Sequence, residues 1–547
     1  MAHTGGDDRI GALVGSGLQA LLFAIFAALL MVVLALYQSA SGAFVAEFSA
    51  TEAQEAGHYV TGLMFADYAH AGFPAPFAFI ESFFLQYPRV ALGPNPPLYY
   101  VIEGLWFLAA SPSTPAALVL PCLMAAVLAV SAGFLVARQL GPLPGIAVCG
   151  VLLALTPLRA ALLVVSLDMP AALLALLAAL AYWRHLRTGS LAWSLGFGLL
   201  ASAAMLTDFA MIVLALLPPL AAVCGRRLDL MRRPRFFLPY ALMLVLAGPW
   251  VLGTYPLVAG HFAGGWGPAF LHVSAPFYGA ALVAGLTPLI LALAAFGAVS
   301  AVVSAWRRSE TPSDLFTTLA ALSGALLVGN LLVPLAPDAG HLLPALAPLV
   351  MLAVYGGVSL IGLIITGWPI LSGLVVLLVL LLAALPALLT PLLKLPIGME
   401  PAARAILERQ AGTALVLVAS DAKGEGALIA AIAQRDRART AFVAPVRRLL
   451  PAQAQGTLAT PAEDGAALVA SGAGFIVLDT APAAQAMPQN VRLRAALAQA
   501  PEGFAPLGTF ARADGTGEVR LYGVSANAGV AAAPARLRML LRPRSGG

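Results

Sequence analysis

Long apolar runs separated by short loops occupy the chain from residue 13 to about residue 392. The run 13–36 has more than 18 apolar positions, enough to cross a hydrocarbon core. Its start, Asp7-Asp8-Arg9, lacks the basic region of a cleaved leader and predicts a retained helix. Further runs at 115–137, 143–158, 169–186, 191–206, 209–223, 237–254, 277–304, 315–335, 342–365 and 370–392 bring the expectation to about eleven spans. The stretch 98–110 is apolar but short, and reads as an interfacial or re-entrant helix.

Beyond residue 400 the pattern changes. Strand-like ALVLVAS (414–420), TAFVA (440–444) and GFIVLD (474–479) alternate with helix-like LIAAIAQRDRA and AEDGAALVAS. Alternating strand and helix patterns predict a small α/β unit with a largely parallel sheet. The expected organisation is a polytopic α-helical membrane domain, 1–395, with a large first outer loop, 39–97, followed by an α/β domain, 400–547. The tail Arg536–Arg544 is basic and reads as solvated or close to a membrane surface.

Composition sharpens this. The chain is 61% hydrophobic and 10% charged, against about 25% charged in soluble domains, so it reads as an integral membrane protein. The net charge of +5 could suggest nucleic acid, but the arginines sit in short loops. With a cytoplasmic N-terminus, one face receives Arg9, Arg138, Arg184, Arg187, Arg226, Arg227, Arg232, Arg233, Arg235, Arg307 and Arg308, while the other receives Arg89 and Arg159 before Lys394. That asymmetry is the positive-inside pattern. It predicts that the first loop, Asp168, Asp208, the Asp338–His341 turn and the C-terminal domain all lie outside. Cys122, Cys149 and Cys224 lie in or beside apolar runs without metal or redox spacing, and read as small hydrophobes.

The first loop carries most of the candidate chemistry. If residues 52–58 are helical, Glu52, Glu55 and His58 share one face, an arrangement suited to a general base or a metal. Asp168, just ahead of Pro170, suits a helix cap and can still line a cavity. Asp208 interrupts an apolar stretch on the same face, and His341 sits in a turn before another span. The loop 255–276 adds Tyr255, His261, Trp266 and His272, aromatics also expected at an interfacial belt. The turn Asp421–Gly426 lacks dinucleotide or Walker spacing and reads as a structural turn.

The segments Glu55-Ala-Gly-His-Tyr-Val-Thr-Gly-Leu-Met64, Asp67-Tyr68, Asn95-Pro-Pro-Leu-Tyr-Tyr100, Ser166-Leu-Asp-Met-Pro170 and His341-Leu-Leu-Pro-Ala-Leu346 follow one another in a familiar order. In this respect roughly residues 10–390 resemble GT-C fold membrane glycosyltransferases, in the family 39-like branch of protein O-mannosyltransferases, aminoarabinose transferases and related bacterial enzymes. The resemblance implies a bacterial inner-membrane enzyme that takes sugar from a polyprenyl-phosphate donor. It implies transfer to an envelope glycan, lipid or protein on the outer face, with inversion and an acid of the first loop, Glu55, as the base. On this reading Glu55 and Asp168 are catalytic, and Glu52, His58, Arg89, Asn95, Arg159, Asp208 and His341 contact substrate. The resemblance names no certain cofactor and leaves a divalent cation open.

The chain departs from the pattern at three places. Relatives commonly show an Asp-Glu pair where this chain has Gln54-Glu55, a lysine where it has Asp208, and an arginine where it has Gly340. The second and third remove positive charge expected near a departing lipid phosphate. Either Arg89, Arg159 and the histidines supply it, or the chain is a catalytically degenerate scaffold that binds a lipid-linked glycan or a partner enzyme. A secondary transporter fits less well, because its polar sites should sit at mid-membrane in repeated halves.

Overall fold

The computed structural model describes residues 7–260, 267–307, 315–364, 368–410, 412–450, 460–499 and 501–524, with side chains from residue 21 onward. Among these residues, seven helices are long and apolar enough to cross a membrane. They are Leu21–Ala40, Thr114–Leu140, Asp168–Thr188, Pro268–Arg307, Leu315–Leu332, Ala339–Ile364 and Pro369–Leu389. The pair Pro234–Leu246 and Gly248–Ala259, bent by 60°, makes an eighth if it counts as one span. The chain is therefore a multi-pass membrane protein. The expected runs 143–158, 191–206 and 209–223 form the shorter apolar helices Pro142–Ala154, Leu191–Met205 and Phe209–Cys224. They contribute Val151, Phe197, Ala201 and Leu214 to the same apolar core as the long helices, so the apolar segments read from the sequence all join one bundle. The short run 98–110 is a helix with those bounds, Leu98–Ala110.

Two features shape the bundle. Helix Pro268–Arg307 breaks at Thr287, whose φ of 62° precedes Pro288; proline cannot extend the hydrogen-bond ladder of the preceding turn. Beyond the break this helix crosses Leu343–Ile364 through two glycines. A Cβ on Gly297 would run into the Leu352 carbonyl, and one on Gly356 into the Leu293 carbonyl. Small residues of this kind let membrane helices approach closely, where packing replaces the missing hydrophobic drive. Gly297→Leu is expected to lose about 1–3 kcal/mol through overpacking, read as a lower thermal midpoint of the purified protein in detergent. An unchanged midpoint would remove this crossing from the account.

The C-terminal unit holds a five-stranded sheet of order β2-β1-β3-β5-β4. Strands β1 (Ala414–Ala419), β2 (Ala441–Pro445) and β3 (Phe475–Asp479) are parallel, as their patterns predict. Strands β4 (Phe504–Ala511) and β5 (Glu518–Val524) form an antiparallel hairpin added beside β3. The Asp421 turn is structural: its carboxylate caps helix Ala422–Arg435 by accepting from Gly424 N at 2.9 Å. The expected basic tail Arg536–Arg544 lies outside the described residues.

The first loop does not hang free. It contributes helices Glu55–His70 and Pro76–Gln86, and its residues share one hydrophobic core with the sheet unit. Tyr59, Tyr87 and Tyr99 pack in the same cluster as Ile406, Val416, Leu428 and Val477. Polar ties reinforce the contact: Arg439 pairs with Asp67 at 2.5 Å, and Tyr87 Oη donates to Asp436 at 3.0 Å.

Candidate functional site

Three acid-bearing helix starts meet at one end of the bundle. Asp168 opens helix Asp168–Thr188. Asp208 caps the turn Phe209–Leu216, accepting from Ala210 N at 2.8 Å. Asp338 caps Ala339–Leu342, accepting from Gly340 N at 2.8 Å. Aspartate suits the last two positions because its short carboxylate satisfies an amide that has no partner within the turn; at the first, Leu167 and not Asp168 stands at the cap position, and the side-chain cap expected of Asp168 is not formed. The consequence is electrostatic: the charges of Asp208, His341 and Asp338 all act on Asp168.

His341 is held in place at the cluster. Its Nδ1 lies 3.2 Å from Tyr278 Oη, and its carbonyl accepts from Asn330 Nδ2 at 3.0 Å. Gly340 accounts for one departure noted above. A Cβ there would stand 2.6 Å from Asp168 Oδ2, so the aspartate carboxylate lies directly over the glycine. A longer side chain at position 340 is incompatible with this placement of Asp168.

On another side of the cluster lies the Asn95-Pro96-Pro97 turn. Leu98 N donates to Leu206 O at 2.9 Å, which ties the start of helix Leu98–Ala110 to the segment carrying Asp208. Asn95 and Asp208 both act on Tyr100, whose hydroxyl is 2.8 Å from His58 Nδ1. His58 is therefore linked to the acid cluster through Tyr100. Burial pushes its imidazole down to about 4, so it is neutral at pH 7. Between pH 6.5 and 4 the unfolded chain binds a proton here that the folded chain refuses. His58 therefore adds stability above pH 6.5 that is lost on acidification through pH 4, at about 1.4 kcal/mol per pH unit inside that window. Chemical denaturation across this range should give a steeper acid loss for wild type than for His58→Gln; parallel curves would show that His58 does not titrate this way.

Glu55 is placed differently from what its motif suggests. It is fully buried and paired with Lys394, whose Nζ donates to Oε1 at 2.6 Å and to Oε2 at 2.8 Å. Ser49 N donates to Oε2 at 2.8 Å and Val165 N to Oε1 at 3.2 Å. Both oxygens are thus occupied, and none of these partners is a surface a substrate can reach. Glu52 does not share its helical face, because the helix starts only at Glu55; Glu52 is exposed, and its Oε1 accepts from Gln54 N at 3.4 Å.

Arg89 and Arg159 are also engaged elsewhere. Arg89 Nη2 donates to Ala53 O at 3.1 Å and Ala422 O at 2.8 Å, joining the loop to the sheet unit. Arg159 donates to the carbonyls of Ala387 and Thr390 at the end of helix Pro369–Leu389, with its guanidinium over the Tyr37 ring. Neither arginine faces the acid cluster. His261 and Trp266 lie outside the described residues. Among the described residues, no three His, Cys, Asp or Glu side chains are grouped closely enough to hold a metal ion.

Reading the sequence for motifs passed over Lys394 and Glu103. Lys394 was legible as a lone lysine in Leu392-Leu-Lys-Leu-Pro396, since an isolated charge in an apolar run needs a buried partner. Glu103 is fully buried against Gly62, and neither oxygen has a hydrogen-bond partner among the described residues. Burial, and then the charge of Glu55, push its carboxyl well above the usual range.

The helical bundle, the long first loop and the sheet unit together make the GT-C fold of membrane glycosyltransferases. Similar solved structures include ArnT from Cupriavidus metallidurans in the apo state, with TM-score 0.55 and 14% identity over 94% of this chain and 99% of that one, and the same protein bound to undecaprenyl phosphate, with TM-score 0.53 and 14% identity over 93% and 99%. The Archaeoglobus fulgidus oligosaccharyltransferase aligns with TM-score 0.48 and 14% identity over 89% of this chain and 74% of that one. No family profile matches the chain, and no curated protein matches it by sequence.

Proposed function

We propose that this protein transfers a sugar from a polyprenyl-phosphate donor to an acceptor hydroxyl on the outer face of a bacterial inner membrane. The observation that carries the reading is the convergence of Asp168, Asp208, Asp338 and His341 at one end of a GT-C bundle. A likeness spanning nearly the whole of ArnT, which has been solved with undecaprenyl phosphate, supports the donor class. The arginine asymmetry supports a cytoplasmic N-terminus, with the first loop and the unit 400–547 outside.

Asp168 is the carboxylate best suited to act as base. It is partly exposed, whereas Glu55 is saturated by Lys394 and two backbone amides. In the reaction the acceptor oxygen attacks the anomeric carbon as the carbon–oxygen bond to phosphate breaks. The hydroxyl proton passes to Asp168, and polyprenyl phosphate leaves with the bonding pair. One displacement inverts the anomeric centre. General-base assistance of this kind contributes typically about 10²–10⁴-fold. His341, fixed by Tyr278 and Asn330, and Asn95 beside Tyr100 are placed to hold sugar or acceptor hydroxyls.

One observation favours a second reading. Arg89 and Arg159 are both committed elsewhere, and Gly340 replaces a cation with a surface covered by Asp168. That pattern fits a scaffold that binds a lipid-linked glycan without turning it over. The two are separated with purified protein in nanodiscs, given radiolabelled polyprenyl-phosphate sugar and an envelope lipid extract. The transferase reading expects label in the acceptor lipid; binding of the donor with no label transferred would establish the scaffold instead.

A further inference from the structure

The segment Leu162–Leu167, between helices Thr156–Ala161 and Asp168–Thr188, has no regular structure, yet most of it is buried. Its backbone polar groups need partners, because an unpaired buried amide or carbonyl costs as much as a lost hydrogen bond. Distant side chains provide them. Gln38 Nε2 donates to Leu162 O at 2.5 Å, Lys394 Nζ to Leu163 O at 2.9 Å, and Val165 N donates to Glu55 Oε1 at 3.2 Å. Lys394 is the hub, since it also holds Glu55 in place to receive Val165. Its own amide donates to Ser41 O at 2.9 Å, which fixes where the chain between the last span and the sheet unit passes.

We infer that Lys394 is a positioning residue: through Leu163 and, by way of Glu55, through Val165, it sets the backbone that delivers Asp168 to the acid cluster. This rests on the transferase reading above. Only two residues separate Val165 from Asp168, so a slack loop translates directly into a displaced carboxylate. Lys394 touches no reacting atom; it acts through the loop.

A single replacement at Lys394 strands a buried carboxylate and can unfold the protein, so the decisive variant is Glu55→Leu with Lys394→Met. Replacing both charges by apolar groups of similar size keeps the core filled but removes the hydrogen bonds to Leu163 and Val165. Amide exchange of the 162–169 peptide, followed by mass spectrometry in nanodiscs, should rise against wild type while that of helix Thr114–Leu140 does not. In the transfer assay kcat should fall about a hundredfold, as for a displacement of about 1 Å, with KM for the donor little changed. A folded double variant with wild-type exchange in 162–169, or with raised exchange and wild-type kcat, would overturn the inference. Exchange is read without any turnover. Raised exchange in the variant, alongside a wild-type protein that transfers no sugar, would therefore sink the transferase reading and leave the loop contacts standing.

Discussion

Lys394→Met alone should destabilise the protein by about 3–5 kcal/mol, the loss seen when one member of a buried ion pair is removed. Lys394 and Glu55 are both fully buried. Without the lysine, Glu55 keeps only the amides of Ser49 and Val165, and must either stay charged in an apolar interior or take up a proton. The cost is spread widely. Glu55 starts the loop helix that packs on the sheet unit, and Lys394 lies where the chain leaves the last span. Lys394→Arg should not restore the site, because a planar guanidinium needs more room than a compact ammonium among these close partners. Denaturant titration in detergent micelles, followed by tryptophan fluorescence, measures the loss. A midpoint for Lys394→Met equal to wild type would mean that the pair contributes nothing.

The second large effect is expected at Asp168. Asp168→Asn keeps the size but cannot accept the acceptor's proton, so kcat should drop by about 10²–10⁴-fold with donor affinity retained. Leu167 occupies the cap position and no side-chain capping bond is lost, so the fold at the start of Asp168–Thr188 should survive. Removing one charge from a cluster that includes Asp208 and Asp338 also relieves repulsion, and a modest gain in thermal midpoint should accompany the lost turnover. Losing turnover while gaining stability is the signature expected of a functional carboxylate. A carboxylate with no part in turnover would not give the loss.

Much of this architecture is legible in the sequence, for physical reasons that can be named. Apolar runs of the necessary length announce spans, and β1, β2 and β3 are buried on both faces, so their unbroken hydrophobic runs stand out. Strands β4 and β5 are partly exposed, with Pro506, Gly508 and Gly523 diluting their pattern, and the hairpin was not visible. The helix break at Thr287 is marked only by Pro288, one proline among many in this chain.

For the site, local signals carried Asp168, Asp208 and the Asp338–His341 turn, because an aspartate at the start of a helix is itself a local pattern. The partner of Glu55 was out of reach: 339 residues separate it from Lys394. No spacing rule spans that distance, and without the lysine Glu55 reads as a free base. Equally, Gly340 reads as a lost arginine until its neighbour is known to be the Asp168 carboxylate. In both cases the motif identifies the place, and the chemistry depends on what tertiary packing brings there.

The central claim is that Asp168, at the meeting of three acid-bearing helix starts, turns over a lipid-linked sugar. It is tested most directly by following release of free polyprenyl phosphate from a labelled polyprenyl-phosphate sugar, with acceptor lipid present, by wild type and Asp168→Asn in matched nanodiscs. The account predicts release by wild type and a loss of at least about 10²-fold in the variant, with equal donor binding. Equal release by the two proteins would contradict it.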